Sequence, residues 1–259
     1  MEIIKMNTIK NRVRLFLGTC LLLPTFANAQ DWSQQFELYG ILASIDGETS
    51  MGRVTGAEID VDFDAILENL EMAGMMHYEA HHKSGWGVSL DYGFMDLGSD
   101  ISGRRGGVTD ISVKQVIFEG LAIRRFQLED GLLDYTVGVR WWDNEIDVSV
   151  DPAVLPGSFE VEIDEDWVDV VVGVRWLNNL NENWKFLLQG DVGGFGLESD
   201  FTGRVQVGAL YQMKDKWVLD VKYIATWVDY ENDETEGQPG YFAYDTVTHG
   251  PVIGVIYQF

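Results

Sequence analysis

The sequence predicts an all-β fold: a transmembrane, antiparallel, up-and-down β-barrel of ten strands, with eight or twelve as the alternatives. Three observations carry this. The N-terminus has the layout of an export signal and no helical span follows it, segments launched by tryptophan alternate with period two, and an even series of strands is joined by short and long connections in turn.

Lys5, Lys10, Arg12 and Arg14 precede an apolar run from Leu15 to Phe26 and the small-residue site Ala27-Asn28-Ala29, the arrangement of a cleaved secretory signal. Residues 1–29 are therefore set apart, and 30–259 are expected to form one barrel domain, because no Pro/Gly/Ser linker divides them. The apolar run is about 12 residues, short of the ~20 that a spanning helix needs. Cys20 sits inside that run ahead of the better cleavage site, so a lipid anchor is not the reading. Cleavage leaves no cysteine for disulfides or a thiolate metal site. It also removes four basic residues and one acidic residue, so 18 and 42 become 14 and 41 and the net charge moves from -24 to -27. Nucleic acid is excluded as a partner on that balance.

Lys83-Ser84-Gly85-Trp86, Asn181-Glu182-Asn183-Trp184 and Lys214-Asp215-Lys216-Trp217 each place a polar turn before a tryptophan, and alternation follows. Val88, Leu90, Tyr92 and Phe94 oppose Ser89, Asp91 and Gly93; Phe186, Leu188 and Val192 oppose Lys185, Gln189 and Asp191; Leu219, Val221, Tyr223 and Trp227 oppose Asp220, Lys222 and Thr226. Further strands are expected over 34–45, 72–82, 111–126, 132–148, 166–178, 200–212 and 245–259, with long connections over 46–71, 98–110, 149–165 and 231–244. The apolar faces hold too many aromatics to fill a ten-strand interior, so they are assigned to lipid. Trp86, Trp176, Trp184 and Trp217 mark the periplasmic rim, and Trp141, Phe201 and Trp227 the other.

The chain ends on a strand with Ile253, Val255, Tyr257 and Phe259 on one face. This resembles the assembly signal of bacterial outer-membrane β-barrel proteins, a terminal aromatic strand read by the barrel-assembly machinery. The stretch from Gly190-Asp191-Val192-Gly193-Gly194-Phe195-Gly196 through Tyr230 to His249-Gly250-Pro251 is similar to a widespread set of proteobacterial barrels without an assigned role. The resemblance implies the cell outer membrane as the location, with lipid and lipopolysaccharide as surroundings, and supplies no catalytic residue.

Inward positions include Glu79, Asp91, Glu119, Asp134, Arg140, Asp169, Arg175, Lys185, Asp191, Arg204, Asp220 and Lys222. Both charge signs on one face predict an internal salt-bridge network that fills a narrow lumen. Strand order places Arg140 near Asp169, Asp191 near Arg204, and Arg204 near Asp220 or Lys222. His77, Glu79 and His81 share a face, but alternate residues ~6.6 to 6.8 Å apart do not converge on one ion. Ten strands suit an omptin-like protease, yet no Asp/Asp plus Asp/His arrangement occurs in the loops. His249 has only Thr246 and Thr248 as nearby hydroxyls. No enzyme is expected.

Two loop features stand out. Asp143, Glu145, Asp147, Glu160, Glu162 and Asp164 crowd one face of the third long hairpin, a repulsive arrangement that weakly bound Ca2+ or Mg2+ would relieve; a hydrated acidic face without an ion is the competing expectation, and no other cofactor is implied. Phe63, Ile66, Leu67 and Leu70 fall at i, i+3, i+4 and i+7 behind Asp62, predicting a capped amphipathic helix in the first long loop that packs on the barrel mouth or the third hairpin. The leading functional reading is a closed barrel with a structural or surface-interaction role. A narrow, porin-like passive pore is the alternative, and a protease or lipid-modifying enzyme ranks third. Oligomeric state is left open.

Overall fold

The computed structural model describes residues 31–102, 108–151 and 159–259, so the expected signal segment lies outside the described residues. The segments in order are β1 (Trp32–Ile41), β2 (Ser44–Met51), β3 (Val54–Val61), α1 (Phe63–Asn69), β4 (Leu70–His82), β5 (Trp86–Ser102), β6 (Val108–Leu128), β7 (Gly131–Asp151), β8 (Phe159–Asn179), β9 (Trp184–Gly194), β10 (Phe201–Lys214), β11 (Trp217–Glu231) and β12 (Phe242–Gln258). Neighbours in sequence pair antiparallel from β4 to β12, and β1 joins β12 to close a ten-strand barrel.

β1 and β2 are one barrel strand in two pieces. Both pair with β12, and the register passes unbroken from Ile41↔Val252 to Ser44↔His249 and on to Met51↔Phe242. The expected loop over 46–71 is therefore largely a hairpin: the chain turns back at Gly52 and β3 pairs with β2. Polar, Gly-containing residues hid this strand, whose partner stands about 200 positions away (Thr49 to Ala243, 194 residues apart). Gly47 adopts φ +145, and a Cβ there would run into the Asp245 carbonyl oxygen, so the close approach requires glycine.

The helix begins where the sequence places it, with Asp62 Oδ1 accepting from the Ala65 N–H at 2.9 Å. Leu70 is not part of its stripe but opens β4, and α1 rests against β5 rather than on the third hairpin. β6, β7 and β8 run 21 residues each. At about 3.3 Å per residue they reach roughly 70 Å, well beyond the 9–11 residues that cross a hydrocarbon core. The connections expected over 98–110 and 149–165 are accordingly shorter, and strand continues into both.

The outer wall has two zones. An apolar belt carries Val137 and Val139, then Val168, Val170, Val172 and Val174, then Val205 and Val207, all exposed. Trp86, Trp176, Trp184 and Trp217 stand outward at its short-turn edge, and Phe201 and Trp227 toward the long-loop edge. Beyond that edge the same faces turn acidic, with Asp143, Glu145 and Asp147 on β7 and Glu162, Asp164 and Asp166 on β8.

Candidate functional site

The lumen is the site, and it is built in layers from the inward half of each strand. Nearest the short turns, Asp134 sits between two guanidinium groups. Arg125 donates to it from Nε and Nη2, both at 2.8 Å, and Arg175 from Nη2 at 2.7 Å. Arg175 also reaches Glu79 at 2.6 Å, joining β8 to β4 across the barrel, and Glu79 meets His81 Nε2 at 2.6 Å. Two bidentate forks and two carboxylates satisfy one another here.

The next layer centres on Arg140, which is 0% exposed. Its Nε donates to Glu119 at 2.8 Å, Nη2 to Asp191 at 2.8 Å and Nη1 to the Thr202 hydroxyl at 3.1 Å. Arg204 reaches Glu119 from the opposite wall at 3.4 Å. Lys222 is held by Asp220 at 2.6 Å and by Glu37 at 3.5 Å, while Tyr39 donates to Asp91 at 2.8 Å. Such a layer adds little net stability over an apolar one, but removing one partner strands the rest.

Above lies an apolar plug of Trp142, Ile163, Trp167, Val228, Tyr230, Phe242 and Tyr244. Trp167 stacks on Tyr230 with centroids 3.9 Å apart and on Trp142 at 5.8 Å. Each such pair contributes about 0.5–1.5 kcal/mol beyond area burial. Ile146 and Ile163 belong here, so the apolar face of the third hairpin turns inward and its acidic face outward.

Eleven of the twelve charged residues singled out above lie along the inner face; the other, Lys185, stands exposed at the short-turn mouth. Register sets Arg140 beside Asp169 and Asp191 beside Arg204, as expected, but none of the three expected neighbour pairs is joined by a hydrogen bond. Arg140 and Asp169 are opposed in register, yet Asp169 accepts from the Ser199 hydroxyl at 2.6 Å and from Trp167 Nε1 at 3.1 Å. Arg204 turns to Glu119 rather than to Asp220 or Lys222. Asp191, opposite Arg204 in register, instead accepts from Arg140. Glu37, Arg125 and Thr202 were missed. Arg125 shares parity with Glu119, but Leu121 and Ile123 between them are apolar and masked the inward stripe.

In the third hairpin Glu145 opposes Asp164, Asp147 opposes Glu162, and Glu160 opposes Ser149; the Glu160 side chain lies outside the described residues. Lys114 joins this face through Glu145 at 3.3 Å, and that hydrogen bond raises its pKa. Among the described residues no three His, Asp or Glu are grouped to hold a metal ion. His249 faces outward, with Asp46 at 2.8 Å on Nε2 and the Tyr223 hydroxyl at 2.7 Å on Nδ1, while Thr246 turns into the lumen.

A polar vestibule of about 500 Å3 opens at the short-turn end, where Gln34, Glu182, Gln258 and Phe259 stand at its mouth, and it reaches inward to Asp91, Arg204 and Lys222. Beyond that layer the space contracts to a chamber of about 120 Å3 beneath Trp142.

No protein-family model and no curated protein matches the chain. Among solved structures it is similar to the outer membrane protease OmpT from Escherichia coli, at 10% identity and a TM-score of 0.55, covering 91% of this chain and 99% of that one. Neisserial surface protein A (14% identity, TM-score 0.33, 88% and 97% covered) and the attachment invasion locus protein Ail of Yersinia pestis (11%, 0.36, 88% and 99%) are more distant and add no argument. The chain thus shares the fold of an outer-membrane ten-strand barrel.

Proposed function

We propose that the protein is an integral outer-membrane barrel with a closed lumen and a structural or surface-interaction role, displayed through its acidic long-loop end. Residues 1–29 direct export, and the strand ending in Ile253, Val255, Tyr257 and Phe259 is offered to the barrel-assembly machinery. The apolar belt meets lipid, and the acidic strands above it stand among lipopolysaccharide headgroups. Any Ca2+ or Mg2+ there screens the row of carboxylates diffusely, since among the described residues no tight cage of ligands is formed.

The observation that carries this reading is the double closure of the lumen. Beyond the vestibule Arg140, held by Glu119, Asp191 and Thr202, and Arg204, on Glu119, bridge it, and the Trp167–Tyr230 stack bridges it again above. The vestibule favours a second reading, a narrow pore, because half the passage is already open. An enzyme ranks third. OmpT is a protease by name, but likeness of fold does not bring its chemistry to this chain. Single-channel recording of the refolded mature protein in a planar bilayer, with heat-modifiable gel migration as the folding control, decides. A folded, silent barrel supports the closed reading, and steady discrete openings replace it with the pore.

A further inference from the structure

Between the charged layer and the aromatic plug the lumen is not filled. The chamber of about 120 Å3 is walled by Ile41, Ile45, Ile117, Ile224, Val252 and the indole of Trp142. Its floor is polar: Asp91, Arg204, Gln206 and Lys222 border both this chamber and the vestibule below, so one layer of side chains separates the two.

The charges of that floor are unevenly committed. Lys222 has Asp220 at 2.6 Å, and Asp91 has the Tyr39 hydroxyl at 2.8 Å. Arg204 carries five N–H donors and, among the described residues, makes one long bond, 3.4 Å to Glu119, with its side chain only 11% exposed. Its other donors face the spaces that Arg204 borders, where an acceptor oxygen of a guest can take the place of water.

Size and charge narrow that acceptor. The volume is near that of apolar cavities of about 150 Å3 that take benzene-sized guests, which allows roughly six to eight non-hydrogen atoms. The two cations of the floor are already faced by acids, Lys222 by Asp220 and Glu37 and Arg204 by Glu119, so a further anion gains no unmatched positive charge. We propose that the chamber is a binding site for a small, neutral, largely apolar molecule whose single carbonyl or hydroxyl oxygen accepts from Arg204. The site is independent of whether the barrel conducts.

The test is ligand-observed NMR on the refolded mature protein in detergent, with 4-methylcyclohexanone and cyclopentanecarboxylate, each of about eight non-hydrogen atoms, as probes. Ala43→Leu and Ile224→Trp each fill the chamber, and partition into micelles is common to all samples. The expected result is saturable ketone binding that falls about tenfold or more in whichever filled variants pass the gel-migration control, with the carboxylate about tenfold weaker than the ketone in the native barrel. Arg204→Met is expected to weaken the ketone about tenfold while methylcyclohexane binds as before. Equal ketone signals in native and filled barrels overturn the site. A carboxylate that binds as tightly as the ketone, or an Arg204→Met variant that keeps the ketone, overturns the assigned chemistry.

Discussion

Arg140 and Asp169 face each other across the β7–β8 ladder and share no hydrogen bond. Arg140 spends its donors on Glu119, Asp191 and Thr202, and Asp169 its acceptors on Ser199 and Trp167. Arg140→Met is therefore expected to cost about 3–5 kcal/mol, because Glu119 and Asp191 are left as buried, underpaired charges. Asp169→Asn is expected to cost about 1–3 kcal/mol. Urea unfolding in lipid vesicles checks both. In double-mutant cycles the coupling between Arg140 and Asp191 exceeds that between Arg140 and Asp169; the reverse order sinks the assignment.

The two closures act in series, which makes conductance a test of layering. Trp167→Ala with Phe242→Ala loosens the plug and leaves the barrel silent, because the Arg140 layer still crosses the lumen beneath. Adding Arg140→Ala and Arg204→Ala to that pair is expected to give discrete openings in bilayer recordings. Openings from the plug variants alone would show that the charged layer is not a barrier.

Asp229, Asp245 and Glu48 stand directly opposite one another on β11, β12 and β2. Burial first, then Asp245, Asp200 and Glu231, raise the Asp229 pKa. A carboxyl that protonates more readily folded than unfolded contributes stability below its unfolded pKa and loses it as pH rises through the folded value. Asp229→Asn should accordingly raise the unfolding midpoint at about pH 8 and leave it unchanged at about pH 3. A midpoint shift of equal size at both pH values would rule out a charge effect.

Asp62 caps α1 through the Ala65 N–H. Asp62→Ala is expected to cost about 1 kcal/mol locally, seen as faster protease cleavage between Val61 and Leu70 with the global unfolding midpoint unchanged. Unchanged cleavage would mean that packing on β5, rather than the cap, holds the helix.

What was legible in the sequence was what repeats. Tryptophan-led alternation located β5, β9 and β11, and parity alone placed Asp134, Arg140 and Asp191 inward. What stayed hidden depends on distant partners. β2 has polar, glycine-broken residues and exists because β12 lies beside it. Side-chain reach was hidden as well: register put Arg140 against Asp169, but a long guanidinium chooses among all carboxylates within several ångströms, and Ser199 from the β9–β10 connection had already claimed Asp169. The Asp46–His249–Tyr223 group was unreadable for the same reason, since its members come from three strands up to 203 residues apart.

The seam between the first strand and the last has a kinetic meaning. From β4 to β12 each wall joint forms between strands adjacent in the chain, so these strands can zip up as a growing curved sheet, and β1 neighbours β4 across the β2–β3 hairpin. Among the described residues, the joint between β12 and the combined β1–β2 strand is the one that brings opposite ends of the domain together, and it closes the space in which Glu37 meets Lys222. If that joint forms last, the inner charges face water through an open side until it does. A sheet that curls shut at this seam would wrap its ion pairs, and a slower seam would keep the unfinished interior wet for longer.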